Sequence, residues 1–173
     1  MPQMLGGLIL LVSGWAFAVD VPVNIKGEIV IPPCLVNNGQ NIEIDFKEIP
    51  VSAVTNKQYN KKTDIPVTCA YYQGVPYIKV TGAQLTGAGA HVLRTNIGNF
   101  GIALYQGDGV GTPLVLGNGT SNGREYIGFP VTRGLAGTSS GIFTFTAAPY
   151  KAGSTELAAG VFSATANMSI TYM

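Results

Sequence analysis

One histidine, His91, is all that this chain offers to a Ser-His-Asp triad or a histidine-based metal centre. Structural and catalytic metal sites draw on several imidazoles or thiolates, so a histidine-rich centre is excluded. As a catalytic base His91 is the sole candidate for a Ser-His-Asp arrangement. It follows Gly87-Ala88-Gly89-Ala90, a composition that reads as a solvated loop. Gly107-Asp108-Gly109-Val110-Gly111 has the glycine content of a phosphate-cradling loop. It lacks the Gly-Lys-Ser/Thr ending, and no helical pattern follows to offer its N-terminus to a phosphate; it reads as a hairpin turn. Glu43 and Asp45 share one face of an alternating segment, which a solvated polar face explains better than paired acid–base chemistry. Tyr71, Tyr72 and Tyr77 would suit a sugar-stacking platform or half-buried strand packing. Asn118-Gly119-Thr120 and Asn167-Met168-Ser169 match the glycosylation sequon, a pattern short enough to arise by chance. No catalytic residue, metal or cofactor is assigned.

Periodicity carries more than chemistry does. Near the C-terminus Phe162, Ala164, Ala166, Met168, Ile170 and Tyr172 alternate with Ser163, Thr165, Asn167, Ser169 and Thr171. A period of two over so many residues specifies a strand with one buried and one wet face. The strand runs to the last residue, so nothing later in the sequence covers its edge. An apolar edge left open pairs with other polypeptides, and the expectation is a protein that polymerises. A second alternation fills residues 19–31, with Val21, Val23, Ile25, Gly27, Ile29 and Ile31 on one face and Asp20, Asn24, Lys26 and Glu28 on the other. Further strands are expected at residues 41–46, 65–71, 77–80, 92–93, 100–105, 113–116 and 142–146, with a helical turn around 51–59. Short strands at this rhythm, among 23 Gly and 10 Pro, argue for an all-β sandwich of the immunoglobulin type.

The compartment is read from the other end. An apolar run at residues 5–12 precedes Ala16-Phe17-Ala18, the pattern of a secretory signal cleaved after Ala18, although Met1-Pro2-Gln3-Met4 supplies no basic residue. The run is too short to span a bilayer. Its removal leaves a chain of one-domain size. A net charge of +1 with 11% charged residues offers no electrostatic footprint for nucleic acid or an anionic membrane. In an exported chain Cys34 and Cys69 read as a disulfide rather than a metal site, two buried free thiols being the alternative.

Together these residues resemble the pilins of the chaperone–usher class, and among them the minor tip-adaptor subunits of P-type pili. The resemblance is carried by the signal, the alternating arm with Gly27, and Ile31-Pro32-Pro33-Cys34 before Asn37-Asn38-Gly39-Gln40. It continues through Cys69 and its tyrosines, Ile78-Lys79-Val80-Thr81-Gly82, and Asn99-Phe100-Gly101-Ile102-Ala103-Leu104-Tyr105-Gln106-Gly107. Thr112-Pro113-Leu114-Val115-Leu116-Gly117, Gly160 and the penultimate Tyr172 complete it.

The resemblance implies an incomplete immunoglobulin-like sandwich lacking its final strand, with a signal at residues 1–18, a donor-strand arm at 19–31 and a pilin domain at 32–173. Gly160, Phe162, Ala164, Ala166, Met168, Ile170 and Tyr172 would form the groove and chaperone-binding strand. Val21, Val23, Ile25, Gly27 and Ile29 would fill a neighbour's groove, the glycine permitting close backbone approach. The implied partners are a periplasmic pilus chaperone, an outer-membrane usher and neighbouring subunits including a tip adhesin. The implied location is an extracellular pilus reached through the periplasm, and neither nucleic acid nor a small-molecule substrate is expected. The implied function is that of a minor adaptor, not an enzyme, that polymerises by strand donation and contributes to bacterial adhesion. A major or terminating pilin, or a carbohydrate-binding lectin-like domain, is the alternative.

Overall fold

The computed structural model describes residues 20–117, 119, 127–132, 135 and 137–173. The expected export signal, Val19, and Asn118 and Thr120 of the first sequon lie outside the described residues. Among the described residues the chain forms β1 (Leu35–Val36), β2 (Lys61–Thr68), β3 (Pro76–Gly82), β4 (Val92–Arg94), β5 (Phe100–Gln106), β6 (Thr112–Pro113), β7 (Phe129–Pro130), β8 (Ser140–Lys151) and β9 (Ala166–Tyr172). One sheet runs β1-β2-β8-β5-β4, with β6 also on β5, and the other runs β7-β3-β9. All pairings are antiparallel. The helical turn expected around 51–59 resolves into two three-residue 3-10 turns, Val51–Ala53 and Lys57–Tyr59.

Alternation drives the packing. In β3 Ile78 and Val80 are buried while Tyr77 and Lys79 are half-exposed, and in β2 Ile65 and Val67 point inward between exposed neighbours. They meet Phe143, Phe145 and Ala147 of β8 and Ile170 and Tyr172 of β9 in one core between the sheets. Full burial of each such Ile or Phe is worth about 1.5–3 kcal/mol. Strand β5 is covered on both faces. Phe100, Ile102 and Leu104 enter the main core, while Ala103 packs on Leu85 and Val92 in a second, smaller cluster. Gly101 is required there, because a Cβ would lie 2.6 Å from the Leu93 carbonyl of β4.

Residues 107–111 form the β5–β6 connection, as expected of a hairpin turn. Buried Thr146 holds this turn, its hydroxyl donating to the Gly107 carbonyl at 2.8 Å and accepting from the Gly109 amide at 3.0 Å. Gln106, also buried, accepts from the Thr132 amide at 3.0 Å and ties β5 to the chain beyond β7. Cys34 and Cys69 are disulfide-bonded, joining the start of β1 to the end of β2.

His91 departs from its reading as a freely solvated loop residue. It is half-buried, with its ring edge-on to Tyr105 at 5.0 Å between centroids and Nε2 3.3 Å from the tyrosine hydroxyl. Burial holds its pKa below the ordinary 6.5. Folding therefore favours the neutral ring, and acidification protonates the unfolded chain first. The contribution is fully present above pH 6.5 and is lost as pH falls through the folded value. We expect a lower melting temperature at pH 5 than at pH 7.5, with a difference that His91→Gln reduces. An unchanged difference in the variant, followed by circular dichroism, assigns the effect to other groups.

Candidate functional site

Three alternating segments lack a ladder partner within the described chain. Residues 41–46 run extended, with Ile42 and Ile44 half-buried, Phe46 buried and Glu43 and Asp45 exposed. Residues 161–165 do the same, turning Phe162 and Ala164 inward and leaving Val161, Ser163 and Thr165 in solvent. Both were expected as strands, yet β9 begins only at Ala166 and residues 41–46 belong to no sheet. A strand is defined by its hydrogen-bonded neighbour, and here the neighbour is missing while the alternation remains. Residues 20–30 are exposed throughout, Ile25 at 92% and Ile29 at 103%.

Between the two extended runs lies an open trough of about 400 Å³. Its base is made by Ile102 and Leu104 of β5 and Phe145 and Ala147 of β8. Ile42, Ile44 and Phe46 form one rim, and Phe162, Ala164, Ala166 and Met168 the other. Glu43 and Ser163 are the polar members of an otherwise apolar lining, to which Val80 and Leu93 also contribute. Asp45 is occupied locally: its carboxylate pairs with the Lys47 ammonium and accepts the Lys47 amide at 2.8 Å, which lowers its pKa. Glu43 and Asp45 thus form a solvated rim, in line with the solvated polar face that the sequence favours over acid–base pairing.

The backbone of β9 explains why the trough is open. Its odd-numbered residues bond to β3 or, at Met173, to Val75. Even-numbered residues therefore turn their N–H and C=O groups to the opposite edge. At Ile170 that edge is taken, because the Cys34 amide donates to the Ile170 carbonyl at 2.7 Å. Chain reversal at Asn37–Gly39, where all three residues have positive φ, then carries the backbone away from β9. From Met168 back to Phe162 no described residue makes a backbone bond to this edge.

The sequence-expected groove residues divide accordingly. Phe162, Ala164, Ala166 and Met168 line the trough. Ile170 and Tyr172 lie in the main core, 0% and 1% exposed, below the point where Cys34 closes the edge. Gly160 lies in an adjoining hollow of about 90 Å³ with Ile49, Val54, Ile97 and Leu157, connected to the trough through Phe162. The opposing rim, Ile42, Ile44 and Phe46, was legible as alternation but not assigned to the groove. No described arm residue, Gly27 included, lines the trough. Tyr71 and Tyr72 sit exposed between β2 and β3, and Tyr77 half-buried in β3. An apolar channel with unbonded backbone on its rim can receive an extended strand through alternate side chains and main-chain hydrogen bonds.

A two-sheet sandwich one strand short, with a free arm at one end, defines the class. A family model described as fimbrial protein matches residues 23–173, and the chain belongs to that family. It is 47% identical over 163 residues to the fimbrial adapter PapF of Escherichia coli and 46% identical over 163 residues to the minor fimbrial protein PrsF of the same organism, covering 94% of each chain in both cases. A solved structure of the P pilus adaptor subunit PapF aligns with a TM-score of 0.59 at 40% identity, covering 83% of this chain and 98% of that one. The P pilus rod subunit PapA shares the fold, with a TM-score of 0.52 at 22% identity over 88% of this chain and all of that one. Within the family the chain is a minor pilin of the tip-adaptor type, with an immunoglobulin-like fold, and it works among other pilus subunits.

Proposed function

We propose that the trough receives a strand from another polypeptide and that residues 19–31 enter the trough of a neighbouring subunit, so that one chain is both acceptor and donor. The trough's open backbone edge from Phe162 to Met168, beside an arm exposed along residues 20–30, carries this reading. The arrangement is head to tail and grows a fibre. In this reading residues 1–18 direct export through the periplasm and are removed, leaving arm 19–31 and domain 32–173. A periplasmic chaperone lends the first occupant of the trough, an outer-membrane usher oversees its replacement, and a tip adhesin is among the neighbours. The role is structural rather than enzymatic.

A mature chain with an unfilled trough exposes apolar surface and strand edge together, which favours aggregation. We expect concentration-dependent aggregation and a low melting point, relieved by a synthetic peptide of residues 19–31 or the arm of a related pilin. At a hundredfold excess over its dissociation constant such a peptide adds about 2.7 kcal/mol, a rise of roughly 5–10 °C for a domain of this size. A freely soluble monomer with an ordinary cooperative melt, indifferent to every such peptide, would sink the reading.

A further inference from the structure

The pairing of β9 with β3 ends at Ala166 opposite Gly82. Residues 161–163 nonetheless stay extended and aimed into the trough, and the reason lies in the β4–β5 loop. Asn96 donates from its side-chain nitrogen to the Val161 carbonyl at 3.0 Å, and its side-chain oxygen accepts the Ser163 amide at 2.8 Å. One group that bonds the carbonyl before Phe162 and the amide after it reproduces the pattern of a parallel neighbouring strand. The primary amide of asparagine supplies the same donor and acceptor as a peptide unit.

The clamp is itself held. Buried Thr95 donates its hydroxyl to the Phe100 carbonyl at 2.8 Å and accepts the Ile97 amide at 3.1 Å, which fixes the loop around Asn96. Phe100 then meets Phe162 edge-on at 4.8 Å between centroids, and Phe46 approaches the same ring at 6.0 Å from the other rim. With Val161 and Ser163 engaged on one side, Phe162 presents its own N–H and C=O to the open edge.

We propose that Asn96 is a positioning residue for strand addition: its side-chain amide substitutes for a neighbouring strand and holds residues 161–163 ready to pair. This rests on the strand-acceptor reading above. Ordering the rim in advance lowers the ordering cost of the incoming strand, so its effect belongs in the association rate. Once a donor strand is seated, its own ladder holds the rim.

The test uses the mature chain at low concentration, where aggregation is slow, and a fluorescent peptide of residues 20–31. In Asn96→Ala the Ser163 amide loses its protection from hydrogen exchange, and peptide association slows by at least roughly fivefold and at most about 150-fold, the range two hydrogen bonds supply. Dissociation changes by less than about twofold, since the clamp is redundant once the ladder forms. Asn96→Asp keeps the acceptor for Ser163 and loses the donor to Val161; it falls between the two, and its near-identical shape serves if the alanine variant does not fold. Unchanged association beside a deprotected Ser163 amide overturns the proposal. So does a variant that only speeds dissociation, the mark of a packing contact. If the unsubstituted chain, with its Ser163 amide protected, takes up no arm peptide, its own or a related pilin's, then the acceptor reading fails and takes the clamp's role with it.

Discussion

Gly27→Arg will stop this subunit from entering a neighbour while leaving its own fold and its own trough intact. A Cβ built at Gly27 meets nothing within 4 Å, and the surrounding arm is exposed, so the free chain pays almost nothing for the change. In the proposed strand donation the two backbones would approach closely at this position, and an arginine there would bring both overpacking and an unpaired charge. Overpacking alone costs about 1–3 kcal/mol, and a buried unpaired charge adds several more. Uptake of the variant arm should therefore slow about a hundredfold or more, since each 1.4 kcal/mol is roughly tenfold. The measurement is formation of subunit–subunit complexes by gel shift, with melting temperature and peptide uptake at the variant's own trough as controls. Equal assembly by the variant removes the arm from the mechanism.

Replacing both cysteines by alanine should cost about 4 kcal/mol, the chain-entropy value for a closed loop of 35 residues. For a domain of this length that corresponds to a melting temperature lower by roughly 8–16 °C. Both residues are buried, so some packing is lost as well, and reduction of the unsubstituted protein separates the two contributions. The loss should be local before it is global. β1 contributes only two residues to the sheet, and without its link to Cys69 the Cys34–Ile170 bond is the first to open. Faster hydrogen exchange at Cys34 ahead of global unfolding is the signature; a double variant melting within about 2 °C of the parent contradicts the account.

Much of this architecture is legible in the sequence, and its failures share a cause. The alternations at residues 19–31 and 41–46, and the first part of the one at 162–172, read as strands in the sequence. None is one here, because strand identity depends on a backbone partner that these segments do not have among the described residues; at 41–46 and 162–165 the alternation records only which face is buried. Core strands with partners in the same chain, such as β3 and β5, were placed within a residue or two. β8 extends to Lys151, well past the expected 146, because Ala147 and Ala148 continue the ladder with β5 without any marked alternation in side-chain size. Phe162, Ala164, Ala166 and Met168 line the trough, but the point where Cys34 closes the edge at Ile170 follows from a chain reversal at three consecutive positive-φ residues. Asn96 left no trace at all. Two bonds from one amide to a segment 65 residues away produce no periodicity.

The Cys34 junction also has a mechanical meaning. In a fibre built as proposed, tension enters this subunit through the arm, whose root at Ile31 lies three residues before Cys34. It leaves through the strand seated beside β9. The disulfide to Cys69 and the backbone hydrogen bond to Ile170 meet at that one residue, so the load passes from the arm to β9 through a hydrogen bond and to the end of β2 through a covalent link. The core between the sheets stays out of the path, and a fibre of such subunits under pull would lengthen or fail at its joints before its domains unfold.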